Sequence, residues 1–212
     1  MGTQNENIDY GRFGDAPIKV GQPRPQIEPL FCTPLYMSAI PSQEVHDELT
    51  TCLDLIEWED LEDSNWSGCH EVSKGGFSDI IKQHELVLFK DELDKHIRTF
   101  MRLMQYPINK YDIKESWFAK FSENSFAHLH THGYADISGV YYYQTNGEDG
   151  DIFFETPSPH AGSKCFSQQT HVGYPPLSRG LLLFPSWLHH GVQRNLTDNV
   201  RISLSFNVYV DN

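Results

Sequence analysis

The stretch HLHTHGYADISGVYYYQ, residues 128–144, places three histidines at alternate positions immediately before a run of strand-forming aromatic residues. Side chains at i, i+2 and i+4 lie on one face of a β-strand, so His128, His130 and His132 share a face if this segment is extended. Neutral imidazoles that converge on one point suit a transition metal. The pattern therefore predicts a metal centre, with a polar strand edge that carries solvated histidines as the alternative.

Composition and charge limit the class of protein. The chain of 212 residues has a net charge of −13 and is 39% hydrophobic, an ordinary globular balance. This charge argues against nucleic acid or an anionic membrane as the main partner, because both require clustered Lys and Arg. The cysteines form no CxxC pair, and the sequence has neither a signal-peptide pattern nor an apolar run near ~20 residues. We therefore expect a soluble protein in a reducing, cytoplasmic setting.

The N-terminal half of the chain has helical spacing. Residues 1–29 are polar and rich in proline, so we predict an extended, loosely held arm. Ser42 is a candidate N-cap for a first helix, and apolar residues recur three or four apart over residues 84–104. A break that contains Gly and Ser, residues 63–79, separates the two helices. The spacing thus predicts a helical support over about residues 41–106.

From about residue 115 to residue 210 the period of the pattern changes to two. Short segments rich in β-branched and aromatic residues are bounded by Gly, Pro, Asn and Asp, which is typical of strands. They are ESWFAKF, SGVYYYQ, GDIFFET, GLLLFPSW and VRISLSFNVYV. TNGEDG, residues 145–150, is a hairpin signal between two of them. The pattern predicts one mainly β, α+β domain over residues 30–212, a jelly-roll or barrel with supporting helices.

One connection in this β half is unusually long. Residues 157–178 show no obvious structure, and a loop of that length is often a lid or a substrate-binding element. Basic and histidine side chains in and beside it could meet an anionic or polar substrate, or could simply be solvated. They are His160, Lys164, His171 and Arg179.

Alternation in the last strand predicts a cation in a confined space. The face that we expect to pack against the helices is apolar and consists of Ile202, Leu204, Phe206, Val208 and Val210. The other face is polar and consists of Arg201, Ser203, Ser205 and Asn207. If the polar face points into a barrel, Arg201 requires an anionic partner. On a surface strand the same guanidinium would lie in solvent.

These motifs, in this order, resemble the iron(II)/2-oxoglutarate-dependent oxygenases. HTHGYADISGVYYY, GLLLFPSWLHHGV and RISLSFN are most similar to a bacterial and phage group with the signature HxH, SGVYY, FPSWLxHGV and RISxSFN. The resemblance extends from about Ser116 to Val210. It implies a double-stranded β-helix with Fe(II) at its open end. Three facial protein ligands would leave the other coordination positions to 2-oxoglutarate and O2.

The resemblance implies His130, His132 and His190 as the metal ligands. The wider superfamily has a carboxylate two residues after the first histidine, where this chain has His132, and Asp136 is the fallback carboxylate. A register shift of two residues would select His128 and His130 instead. The neighbour of His190, His189, would point to the opposite face of the strand and could not bind the same metal.

The same resemblance implies a co-substrate site. Arg201 corresponds to the family position that binds the C5 carboxylate of 2-oxoglutarate as a bidentate pair. Ser203 lies two residues along on the same face, and Tyr142 is the residue of the tyrosine run that alignment to related hydroxylases selects. The implied reaction is oxidative decarboxylation of 2-oxoglutarate to succinate with hydroxylation of a substrate C–H bond, without a side chain acting as acid or base.

The resemblance leaves the substrate and the oligomeric state open. Related hydroxylases act on prolyl residues, free amino acids and other small molecules, so the implied partner is a small molecule, a peptide or an amino acid. Two alternatives remain: a non-redox, cupin-like module that binds a metal or ligand, and a degenerate oxygenase that serves as a scaffold. The Arg-x-Ser strand with its polar face favours the enzyme.

Overall fold

A computed structural model of the chain describes residues 32–64, 68–75, 78–106, 110–157 and 170–211. The chain divides into two compact units, Met1–Pro34 and Leu35–Asn212, and everything below concerns the second. The predicted arm over residues 1–29 lies outside the described residues. None of the helices in the described ranges is long and apolar enough to cross a membrane.

Eleven strands form in the described part of the second unit. They are β1 (Tyr36–Ala39), β2 (Trp58–Ser64), β3 (Gly68–Ser73), β4 (Tyr111–Phe121), β5 (Ala127–His130), β6 (Ile137–Gln144), β7 (Ile152–Glu155), β8 (His171–Tyr174), β9 (Gly180–Pro185), β10 (His190–Val192) and β11 (Arg201–Val210). A larger sheet has the order β1-β9-β6-β11-β4-β3-β2, and a smaller sheet has the order β5-β10-β7-β8. All neighbours within the two sheets are antiparallel.

The two sheets pack against each other through apolar side chains. Tyr142 of β6 and Phe184 of β9 share one buried cluster with Ile152 and Phe154 of β7. Further along, Trp117 and the neighbouring apolar residues of β4 share a second cluster with Ala127 of β5. The result is a double-stranded β-helix, and the predicted mainly β, α+β fold class is confirmed.

The helices cover the outer face of the larger sheet. They are α1 (Gln43–Leu53), α2 (Ile80–Gln83) and α3 (Val87–Leu103). The Ser42 hydroxyl accepts a hydrogen bond from the amide of Val45 at 3.3 Å, so the predicted N-cap is confirmed. The apolar face of β11 also packs as predicted, since Leu204, Phe206 and Val208 lie in the cluster that the helices bury.

The hairpin prediction for residues 145–150 was wrong. This segment joins β6 of the larger sheet to β7 of the smaller one, so the two strands are not paired. The Asp149 carboxylate accepts hydrogen bonds from the Thr145 hydroxyl at 2.6 Å and the Asn146 amide at 2.9 Å, which folds the segment on itself. Gly147 and Gly150 adopt positive φ angles of 87° and 100°. The segment therefore carries the chain from one sheet to the other, and we refer to it as the crossover turn.

Four strands, β1, β2, β3 and β8, lie where the sequence did not predict them. β1 and β8 form the edges of the two sheets, and β8 lies within the stretch that was predicted to be an unstructured loop. β3 lies within the predicted break and pairs with β2, whose sequence WEDLEDS is too acidic to be recognised as a strand from β propensity. β3 also pairs with β4, so the hairpin of β2 and β3 extends the larger sheet beside the cavity described below.

Candidate metal centre and the cavity behind it

Three histidines from two strands and one loop lie together at one end of the β-helix. His130 ends β5 and His190 begins β10, and the two are directly opposite one another in the ladder. His132 lies in the following loop, where its amide donates to the Ser186 carbonyl at 2.9 Å. One ligand atom from each of the three lies within 4.8 Å of the others. Such spacing allows three imidazole nitrogens to bind one ion.

Backbone contacts leave the Nε2 atoms of two of these rings free. Nδ1 of His130 lies 2.7 Å from the His128 carbonyl, and Nδ1 of His190 lies 2.9 Å from the Leu188 carbonyl. A carbonyl oxygen only accepts, so Nδ1 carries the proton and the Nε2 lone pair remains for a metal. Burial lowers the pKa of all three histidines, that of His132 to about 4 and that of His190 well below its ordinary value. The rings are therefore neutral near pH 7, as metal ligands must be.

The alternative ligands do not join this group. Among the described residues, the metal-binding geometry selects the three histidines above and includes neither His128 nor Asp136. The Asp136 carboxylate accepts a hydrogen bond from the Val210 amide at 2.7 Å, at the far end of β11. His189 is exposed where its neighbour His190 is only 6% exposed, as strand alternation predicts.

A cavity of about 100 Å³ extends from the histidines between the two sheets. Its floor is formed by residues that lie opposite one another on neighbouring strands of the larger sheet. Trp117 of β4 is opposite Ser205 of β11, and Ala119 is opposite Ser203. The small side chains on β11 and at Ala119 leave a trough between the bulkier residues. The trough begins beside Trp117, whose ring centroid is 5.7 Å from that of His132.

Arg201 lies at the other end of this trough and is only 1% exposed. Its Nη1 donates to the carbonyls of Gly150, at 2.5 Å, and of Asp149, at 3.4 Å, both in the crossover turn. Its Nε has no hydrogen-bond partner, and within the described ranges no carboxylate forms an ion pair with the guanidinium. Burial lowers the pKa of Arg201. A buried cation with an unused N–H on a cavity is suited to a carboxylate from a ligand.

Tyr142 and Ser203 flank Arg201 in the cavity wall. They are direct partners across β6 and β11, and both are buried. Burial raises the pKa of Tyr142 to about 12, so the phenol keeps its proton and can donate it to an anion. The neighbouring tyrosines point elsewhere: Tyr141 packs against Phe89 of α3, and the Tyr143 hydroxyl lies 2.8 Å from that of Thr50 on α1. The structure thus brings the six predicted residues together around one cavity: His130, His132, His190, Arg201, Ser203 and Tyr142.

The residues predicted to meet a substrate from the long loop are not gathered in the same way. His160 and Lys164 lie outside the described residues. His171 lies on the edge strand β8, exposed and 3.5 Å from the Glu155 carboxylate. Arg179 donates to the Pro41 carbonyl and the Gln43 side chain at the start of α1, both at 2.8 Å. It therefore anchors a helix and does not line the cavity.

Trp117 and His70 line the cavity but were not singled out from the sequence. Trp117 lies in a segment that was predicted as a strand. Alternate residues of this strand face the cavity, so Trp117 points inward together with Ala119 and Phe121. His70 belongs to β3, which the sequence did not reveal as a strand. A single histidine in a stretch with Gly and Ser on both sides carries no signal of its own.

Comparisons with known proteins agree with this fold. Residues 115–207 match a family model described as "Putative 2OG-Fe(II) oxygenase". No curated protein sequence matches the chain.

Three solved structures illustrate the similarity in fold. An oxidoreductase of the 2OG-Fe(II) oxygenase family from Burkholderia pseudomallei is 13% identical, with a TM-score of 0.62 over 84% of this chain and 86% of the other. HygX from Streptomyces hygroscopicus, with nickel, 2-oxoglutarate and hygromycin B bound, is 13% identical, with a TM-score of 0.60 over 84% and 83%. A Pseudomonas putida prolyl-4-hydroxylase is 14% identical, with a TM-score of 0.58 over 85% and 94%. Residues 115–207 thus match a 2OG-Fe(II) oxygenase family model, and the double-stranded β-helix of this chain is similar in fold to these solved structures.

Proposed function

We propose that this protein is an Fe(II)- and 2-oxoglutarate-dependent dioxygenase that oxidatively decarboxylates 2-oxoglutarate to succinate and hydroxylates a substrate C–H bond. The observation that carries the proposal is that two features line the same cavity. Three neutral imidazoles converge at one end, and a buried guanidinium with an unpaired Nε lies at the other. A 2-oxo diacid has the matching chemistry, with a chelating head and a distant carboxylate.

His130, His132 and His190 are the proposed iron ligands. The Nδ1 contacts to backbone carbonyls hold two of the rings with Nε2 available, so little rearrangement is needed to bind a metal. Three facial nitrogen ligands leave open positions for a bidentate 2-oxo acid and for O2. Bound iron supplies the activation of O2. A site of three histidines carries one negative charge fewer than a site of two histidines and a carboxylate. A metal bound there is therefore more electrophilic.

Arg201, Ser203 and Tyr142 are the proposed ligands of the far carboxylate. Arg201 can offer Nε together with Nη2, because Nη1 is already held by the crossover turn. The Ser203 hydroxyl and the Tyr142 phenol can add neutral donors on the same wall. The apolar remainder of the cavity excludes water, which strengthens each of these charge-assisted contacts. The chain's own role is therefore to bind, to orient and to exclude solvent.

Succinate release is the experiment that tests this proposal. The full chain is incubated with Fe(II), 2-oxoglutarate and O2 against a panel of peptides, free amino acids and small molecules, and succinate is quantified with and without each reactant. Succinate that depends on iron, 2-oxoglutarate and O2 supports the dioxygenase, and the substrate that raises the rate identifies its class.

The other results of that experiment separate the alternative functions. Chelation of 2-oxoglutarate by the iron-loaded protein gives a weak visible charge-transfer band under anaerobic conditions. A band without succinate from any substrate would favour a degenerate scaffold. Metal binding without the band would favour a non-redox, cupin-like module and overturn the proposal.

A further inference from the structure

The cavity wall includes a histidine side chain from β3, outside residues 115–207, the segment that matches the family model. His70 is half-buried, lines the cavity and precedes Glu71, which is opposite Lys120 of β4. In an antiparallel ladder this register places His70 opposite Phe121. On its other side, Phe121 is opposite Arg201 of β11. The three side chains therefore form one row across β3, β4 and β11, which we call the stacked row.

Both contacts within the stacked row are made to the faces of the Phe121 ring. The rings of His70 and Phe121 are stacked, with centroids 4.5 Å apart and planes inclined by 7°. The guanidinium carbon of Arg201 lies 4.1 Å from the Phe121 centroid. Because β4 runs between β3 and β11, the imidazole and the guanidinium contact the Phe121 ring from opposite sides. A flat guanidinium on an aromatic face is a favourable arrangement in its own right.

Among the described residues, hydrogen bonds hold Arg201 on one side only. Its Nη1 donates to the carbonyls of the crossover turn, whereas its Nε has no hydrogen-bond partner in the described ranges. The Phe121 ring, whose centroid lies 4.1 Å from the guanidinium carbon, supports the group from beneath. The Phe121 ring in turn is set by the imidazole of His70, whose Nδ1 lies 3.3 Å from the Phe126 carbonyl. This contact ties the outer end of the row to the segment just before β5.

Charge is consistent with a supporting role for His70. Burial lowers its pKa to about 4, and the nearby Arg201 contributes in the same direction. The imidazole is therefore neutral near pH 7 and does not repel the guanidinium. A neutral flat ring is what the stack requires.

We infer that His70 is a positioning residue for the co-substrate: through Phe121 it fixes the plane in which Arg201 meets the far carboxylate of a 2-oxo diacid. The inference rests on the proposed function, because it requires 2-oxoglutarate to be the ligand of Arg201. It assigns a role to the β2–β3 hairpin, which would act on diacid selectivity without touching the metal or the reacting atoms.

Paired titrations test this role. Fe(II)-loaded full-length protein is titrated anaerobically with 2-oxoglutarate and separately with 2-oxopentanoate, which has the same 2-oxo acid head but no far carboxylate, and the charge-transfer band is followed. His70→Leu keeps the approximate volume of the side chain and removes the flat ring. We expect it to weaken 2-oxoglutarate binding by roughly three- to tenfold, the scale of one lost aromatic pair. Binding of 2-oxopentanoate should be unchanged, because Arg201 has no carboxylate to meet.

Two further variants test the route through Phe121. His70→Phe restores a flat ring and should return 2-oxoglutarate affinity to that of the wild type. Phe121→Leu should reproduce the selective loss, and the double variant should lose no more than Phe121→Leu alone, since coupled residues are not additive. Thermal unfolding of each variant, measured alongside, reports any general loss of stability.

Each of the other outcomes overturns the inference. An equal loss for both acids would mean that His70 supports the cavity as a whole. Wild-type affinity for 2-oxoglutarate in His70→Leu, or additive losses in the double variant, would exclude positioning through Phe121. If the wild type itself gave no band with 2-oxoglutarate, the proposed function would fail and this role with it. That result differs from a failure confined to the variants.

Discussion

His130 and His190 lie directly opposite one another on the neighbouring antiparallel strands β5 and β10, with ring centroids 4.4 Å apart. Backbone hydrogen bonding in the smaller sheet therefore sets the distance between two of the proposed ligands. The third, His132, lies in a loop that is pinned to Ser186 through its own amide. Binding of a metal should require little reorganisation, because the ligands are positioned by the sheet and not by the ion.

Replacement of His190 tests the ligand set. His190→Ala removes one of three nitrogens and should abolish stoichiometric uptake of Fe(II), measured by metal analysis of anaerobically loaded protein. His189→Ala is the matched control, because this neighbour is exposed and should leave iron binding intact. Full iron uptake by His190→Ala would show that the ligand assignment is wrong.

Replacement of Asp136 tests the fallback carboxylate. Its side chain accepts a hydrogen bond from the Val210 amide and does not reach the histidine cluster. Asp136→Asn should therefore retain the Fe(II) affinity of the wild type in an anaerobic titration. It should lose at most a modest amount of stability, about 1 kcal/mol, the typical net contribution of a hydrogen bond. A large fall in iron affinity would instead identify Asp136 as a ligand.

Replacement of Arg201 tests the co-substrate anchor. Arg201→Met should leave iron bound but weaken 2-oxoglutarate by on the order of 2–5 kcal/mol, the scale of losing one partner of a buried charge pair. The measurement is the anaerobic charge-transfer titration. Arg179→Met is the control, because that guanidinium is held at the start of α1. Unchanged affinity in Arg201→Met would place the carboxylate elsewhere.

Gly139 of the SGVYY motif is predicted to be required by packing. A Cβ at this position would lie 2.3 Å from Cζ of Phe206 and 2.7 Å from Cδ2 of Leu183, both core residues of the larger sheet. Gly139→Ala should therefore reduce the free energy of unfolding by about 1–3 kcal/mol, as overpacking does.

A second glycine provides the comparison for that variant. Gly133 lies in the loop beside His132, and a Cβ there would meet nothing within 4 Å. Gly133→Ala should be close to neutral in a denaturant titration. Equal stabilities for the two variants would contradict the packing argument.

Periodicity predicted the parts of the fold that are set locally. The alternation of β11 correctly separated the apolar side chains that face the helices from Arg201 and Ser203, because strand parity alone decides which face is buried. The Ser42 N-cap could also be predicted, because its hydrogen bond is made to the amide of Val45, within the first turn of the helix.

The sequence did not predict structural features that depend on residues distant along the chain. The crossover turn carries the residues of a hairpin, but the strands on either side pair with other strands in two sheets. β3 is a strand because β2 and β4 pair with it, and its own sequence gives no such signal. His70 therefore escaped prediction, while the three histidines were evident from their spacing and their motifs. The role of a residue that acts across strands becomes visible only once the sheet order is known.

Diffraction from crystals grown anaerobically with Mn(II) and 2-oxoglutarate tests the central claim most directly. The account predicts a single anomalous peak bonded to nitrogens of His130, His132 and His190, with the ligand's far carboxylate on Arg201. A metal bound by other residues, or a diacid whose far carboxylate does not contact Arg201, would contradict it.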